Sequence, residues 1–135
     1  MTLLELTVVI AVLLALTSVL FLGARAWKSG ADRTACIMNI RNVQTAVRSY
    51  QNIYGYTAGG MPYAENGTQD IAAHLHTKGY ITPEQFAAIQ GDSPCAGGGL
   101  YECLYPDTFP PVGQLYIGCS LASTKKHELT PGVEW

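Results

Sequence analysis

Charge is scarce in this sequence. Eight Lys and Arg and ten Asp and Glu make up 13 % of 135 residues, with a net charge of −2. That balance gives no general case for nucleic acid or an anionic surface as the main partner, and no specific nucleic-acid partner is inferred. Proline is absent before Pro62, and no charge occurs between Leu6 and Ala24, a run of 19 residues. Cysteine appears four times, never as CxxC or CxxCH, so neither a zinc site nor attached haem is expected, and no metal or cofactor is assigned. Gly97-Gly98-Gly99 precedes a predicted strand instead of following one, which excludes a phosphate-cradling loop. No serine or cysteine nucleophile has a histidine in a known local signature, and no carboxylates pair in sequence, so an enzyme is not expected.

What is present begins with the uncharged run itself. The chain has room for one compact domain, and its first two dozen residues are too apolar to belong to that domain's core. Nineteen helical residues rising 1.5 Å each can cross a hydrocarbon layer of about 30 Å. The run is apolar around its whole circumference except for Thr7, Thr17 and Ser18, whose hydroxyls can bond back to helix carbonyls, so it must be buried in lipid or in other protein. A secretory signal would open with a basic region, which is not seen here, so the expectation is that the numbering begins after a leader has been removed. Arg25 and Lys28 follow the run, and the positive-inside tendency alone would keep that end in the cytoplasm. A removed basic leader would reconcile them with an exported head.

Glu5 interrupts this apolar start. A carboxylate at membrane depth costs on the order of 2.5–3.5 kcal/mol and needs a compensating partner. The nearest cation is the α-amino group of Met1, one turn away. In a helical polymer Glu5 could instead meet the terminus of a neighbouring subunit, so that assembly neutralises both charges.

The stretch Met1-Thr2-Leu3-Leu4-Glu5-Leu6-Thr7-Val8-Val9-Ile10-Ala11-Val12-Leu13 resembles the N-terminus of mature type IV pilins and of type II secretion pseudopilins. The resemblance implies that a prepilin peptidase cuts before Met1 and methylates it, and that Glu5 directs docking. It also implies a subunit held in the inner membrane before assembly, extracted by an assembly platform, and built into a helical homopolymer of identical subunits as an extracellular or cell-surface filament. Met1 stands where phenylalanine is usual. Leu22 stands where many pilins carry a proline that lets the helix melt, and Gly23 is a weaker breaker, costing about 1 kcal/mol. A major pseudopilin of a secretion system and a membrane-anchored binding module are the alternative readings; a mere tether has no use for a carboxylate at Glu5.

Beyond the run, Cys36, Ile40, Val43, Val47, Tyr50 and Tyr54 recur at steps of three and four, with Arg41, Asn42, Arg48 and Ser49 opposite. The expected organisation is a transmembrane or filament-core helix at 1–24, an amphipathic continuation at 25–55 and a globular head at 56–135. The expected fold class is α+β, and the resemblance implies the pilin fold, one long N-terminal helix carrying a small head of short helices and an antiparallel sheet. In the head, Thr68 is expected to cap a helix from about Asp70 to Lys78, closed by Gly79, and Thr82-Pro83-Glu84-Gln85 opens a second closed by Gly91. Strands are expected at Leu100 to Leu104 and Gln114 to Cys119, joined through Pro106, Pro110 and Pro111 as an antiparallel hairpin. Cys95-Ala96-Gly97-Gly98 and Gly118-Cys119-Ser120 are similar to segments of pseudopilin heads.

Four cysteines in an exported chain favour disulfides. A register with Tyr105 opposite Gln114 sets Cys103 opposite Tyr116 and turns Cys103 and Cys119 to opposite faces, so the expected bridges are Cys36 with Cys103 and Cys95 with Cys119. Asn66-Gly67-Thr68 is a candidate glycosylation sequon. His74 and His76, two apart on a predicted helix, diverge and are not read as metal ligands; nor is His127. The charge is uneven: residues 1–48 carry five bases against Glu5 and Asp32, or +3, and residues 49–135 carry three against eight acids, or −5.

Overall fold

The computed structural model describes residues 2–129. The architecture is α+β, with one long N-terminal helix, three short helices and a two-stranded antiparallel sheet among the described residues. Contacts divide the chain into two compact units, Met1–Ala31 and Asp32–Trp135. Met1 itself lies outside the described residues.

Helix α1, Leu3–Tyr54, runs 52 residues without a break, as expected where no proline removes an amide. Gly23 and Gly30 both lie inside it. In the first unit the hydroxyls of Thr7, Thr17 and Ser18 donate to the carbonyls of Leu4, Leu14 and Leu14 at 2.9, 3.0 and 2.7 Å, so these polar atoms are satisfied by their own helix.

In the second unit one stripe of α1 forms the wall of the core: Cys36, Ile40, Val43, Val47 and Tyr50 are buried. Tyr54, expected on that stripe, is exposed. Gln44 also belongs to the buried face, where its Nε2 donates to the Gln114 carbonyl at 3.1 Å and its Oε1 accepts from the Tyr116 amide at 2.8 Å. One turn on, Arg48 donates to the carbonyls of Pro110 and Pro111 at 2.7 and 2.8 Å. Tyr50 anchors an aromatic group, with the rings of Tyr54, Tyr56, Tyr80 and Phe109 within 6.0 Å.

Helix α2, Ile71–Thr77, is capped by Asp70, whose side chain accepts from the Ala72 amide. Thr68 is not the cap; its hydroxyl accepts from the amide of Asp70, the residue immediately before the helix. Gly79 takes the left-handed conformation that ends the helix. Helix α3, Pro83–Ile89, starts in a complete capping box between Thr82 and Gln85 with proline in its first turn. Strands β1, Tyr101–Cys103, and β2, Ile117–Cys119, are shorter than expected and pair with Cys103 opposite Ile117 and Tyr101 opposite Cys119.

That register is one residue away from the expected one. A connection from residue 104 to 116 rich in proline cannot dictate register; burying Tyr101, Ile117 and Cys119 does. Since alternate residues share a face, Cys103 and Cys119 lie on the same side of the sheet, two steps apart in register, and not on opposite faces. A short helix α4, Ala122–Lys125, follows β2 and had no counterpart in the sequence reading. Lys126 ends it in the left-handed conformation at φ 56°, uncommon for a residue with a side chain, and His127 behind it is buried.

Candidate functional sites

Two places carry chemistry, one in each unit. In the first, Thr2 and Glu5 cap α1 reciprocally: the Thr2 amide donates to Glu5 Oε2 at 3.0 Å and the Glu5 amide donates to Thr2 Oγ1 at 3.4 Å. This is the S/T-x-x-E capping box, a signature that the sequence itself carries in Thr2-Leu3-Leu4-Glu5 beside the charge at membrane depth. A carboxylate in the first turn also complements the helix dipole. The assigned partner of Glu5, the Met1 amine, is outside the described residues. Around Glu5 the large apolar side chains from Leu3 to Leu22 are all exposed, from 49 % at Ile10 to 83 % at Leu3. The helix is long and apolar enough to cross a membrane. An apolar surface of this extent does not stay in water.

The second place is a buried cluster in the Asp32–Trp135 unit. Cys36, Cys95, Cys119 and His127 come together with their three Sγ atoms and one imidazole nitrogen all within 4.8 Å of one another. Cys36 comes from α1, Cys95 from the loop before β1, Cys119 from the end of β2 and His127 from the segment after α4. The Sγ atoms of Cys95 and Cys119 are 3.7 Å apart, and His127 Nδ1 lies 3.7 Å from Cys95 Sγ and 4.0 Å from Cys119 Sγ. All four cysteines of the chain are free thiols.

This arrangement corrects the expected pairing of Cys36 with Cys103. The stripe of α1 turns Cys36 toward Cys95 and Cys119, while the thiol of Cys103 lies beside Tyr116. The expectation of no zinc site rests on the lack of two cysteines close in sequence, whereas the fold gathers four potential donors from distant positions.

The backbone around the cluster is fitted to it. A Cβ placed on Gly97 would lie 2.5 Å from His127 Cε1, so the imidazole rests directly on the main chain there. Gly99 is equally tight against Leu121, where a Cβ would come within 2.6 Å of Cγ. The Arg33 guanidinium donates to the Lys126 carbonyl at 2.9 Å, and the His127 amide returns to the Leu121 carbonyl, fixing the segment that presents the imidazole. The Leu121 amide donates to Cys119 Sγ at 3.5 Å. Burial would push the Cys95 thiol up, but hydrogen bonds from the Gly99 and Gly97 backbone and from the Cys119 and Cys36 thiols outweigh it and hold Cys95 below the ordinary thiol range. Burial pushes Cys36 well up, with the Cys119 thiol adding to it.

The remaining sequence candidates are placed as follows. His74 is buried with Nε2 3.1 Å from the Thr68 carbonyl, and His76 stacks on Phe86 with ring centres 4.7 Å apart. Asn66 is exposed in a turn where it and Gly67 both have positive φ, closed by a bridge between Glu65 and Thr68. Comparison with protein-family models, with curated proteins and with solved structures finds no match.

Proposed function

We propose that this chain is a structural, non-enzymatic subunit of a type IV pilus-like filament, polymerising through the apolar first half of α1, with the pilin fold as its architecture. The supporting observation is an exposed apolar helix surface from Leu3 to Leu22 whose one charged side chain is Glu5. Before assembly the surface rests in the inner membrane, after cleavage by a prepilin peptidase. On extraction by the assembly platform it exchanges lipid for the helices of identical subunits, leaving the heads outermost on a cell-surface filament. The Glu5 carboxylate then docks on the terminal amine of a neighbour, a pair that low polarity strengthens.

The capping box gives Glu5 a second, purely local role, so an alanine variant alone is ambiguous. Glu5→Gln preserves the cap, since glutamine serves at that position, but removes the charge. Both Glu5→Gln and Glu5→Ala are expected to insert in the membrane and to fail in filament incorporation, read as sheared filament against membrane-retained subunit. Wild-type filament yield from Glu5→Gln would refute the docking role and leave Glu5 as a helix cap.

A further inference from the structure

We propose that Cys36, Cys95, Cys119 and His127 bind one zinc ion, with three thiolates and His127 Nδ1 as its four ligands. The argument does not depend on filament assembly. It begins with distances: a tetrahedral zinc with Zn–S of about 2.3 Å and Zn–N of about 2.0–2.1 Å separates its sulfurs by about 3.8 Å and sulfur from nitrogen by about 3.6 Å. The Cys95–Cys119, Cys95–His127 and Cys119–His127 separations of 3.7, 3.7 and 4.0 Å lie close to those edges. Three of the donors are therefore spaced as on one face of such a tetrahedron, and the fourth, Cys36 Sγ, lies within 4.8 Å of each of them.

Stoichiometry supports the same assignment. Three thiols meet here, and a disulfide between any two would leave the third and the imidazole buried without the partner their grouping implies. A fourth cysteine exists, but Cys103 sits beside Tyr116 and outside the cluster. One ion satisfies all four donors at once. Thiolate-rich tetrahedral sets select zinc over calcium, magnesium or manganese, which take oxygen ligands.

The surroundings also match a metal centre. Coordinated thiolates and histidines are ordinarily held by outer hydrogen bonds. Here the amide two residues beyond Cys119 donates to its sulfur, the loop after Cys95 turns its backbone back on that thiol, and Gly97 leaves just enough room for the imidazole. The left-handed Lys126 swings His127 inward from the end of α4. Binding exchanges three thiol protons for one divalent cation and involves no oxidation, leaving a centre of net charge −1. Its consequence is a staple. Four segments of a small head, otherwise tied by a two-stranded sheet and short helices, become joined at one atom.

The test uses the full chain, purified in detergent under reducing conditions and titrated with cobalt(II) as a spectroscopic stand-in. The expected result is one equivalent per chain, with strong thiolate-to-cobalt charge transfer and the intense d–d absorption of a tetrahedral site, displaced stoichiometrically by zinc. Cys36→Ser, Cys95→Ser and Cys119→Ser should each lose or greatly weaken that spectrum, and Cys103→Ser should keep it. Because serine variants could unfold the head, His127→Cys provides a second reading: it should retain one equivalent with bands shifted toward those of a four-thiolate site. Weak octahedral absorption from the reduced wild type would overturn the proposal. So would an unchanged spectrum in Cys36→Ser, or exported protein in which peptide mapping finds Cys95 bridged to Cys119 and elemental analysis finds no zinc.

Discussion

The side chain of Gln44 accepts a hydrogen bond from the backbone amide of Tyr116 at 2.8 Å, inside the core, across 72 residues of sequence. Its other end donates to the carbonyl of Gln114, so one buried amide holds the chain on both sides of Leu115. A glutamine on the apolar stripe of a helix thereby bonds through both its amide nitrogen and its amide oxygen, just ahead of β2.

Gln44→Leu is expected to destabilise the head by about 1–3 kcal/mol, since it strands the Tyr116 amide in a buried site while adding little apolar contact. Denaturant titration of the two proteins in the same detergent would measure this. A loss below a few tenths of that range would mean the amide finds water or another acceptor.

Gly97→Ala should cost about 1–3 kcal/mol, because its Cβ can be accommodated only by displacing the His127 ring or the loop. Gly79→Ala provides the contrast: its Cβ would meet nothing, and the penalty of about 1–2 kcal/mol would come from the left-handed backbone alone. The two are separable by the state of the Cys/His cluster. Only the Gly97 variant should change the reactivity of the cluster thiols toward a maleimide under native conditions.

A chain beginning at Asp32, where the second compact unit starts, is expected to be soluble and monomeric, because it omits the exposed apolar surface from Leu3 to Leu22. Analytical sedimentation would decide this. Filaments formed by that fragment would show that heads, not helices, drive assembly.

Intact-mass and N-terminal peptide analysis of filament-derived protein is expected to find one methyl group on Met1. A formylated or unmodified terminus would argue against prepilin processing.

The parts of the fold legible in the sequence were those governed by short-range rules. The absence of proline and the three-four spacing of Cys36, Ile40, Val43, Val47 and Tyr50 announced α1, and Thr82-Pro83-Glu84-Gln85 announced α3 with its cap. Local rules also left ambiguities. Thr68 and Asp70 are both good caps two residues apart, and geometry alone selects Asp70. Register was out of reach because the connection between the strands carries no two-residue turn to impose it. The Cys/His cluster was the least legible feature, since its members are dispersed from residue 36 to residue 127 and meet only through tertiary packing. The Thr2 to Glu5 cap, by contrast, was written in plain sequence.

The grip of α1 on the segment from Pro110 to Tyr116 constrains the order of folding. Gln44 and Arg48 follow one another by one helical turn, so they point at their targets together only once that part of α1 is wound. Their partners lie 62 to 72 residues away, and closing such a span is slow compared with winding a helix. The prolines at 106, 110 and 111 offer no amide to a competing ladder, so the segment has little structure of its own to adopt beforehand. The helix is therefore expected to act as the template, with the hairpin laid down on it late, as one non-local event whose rate responds to changes at Gln44 and Arg48 more than to changes in the strands themselves.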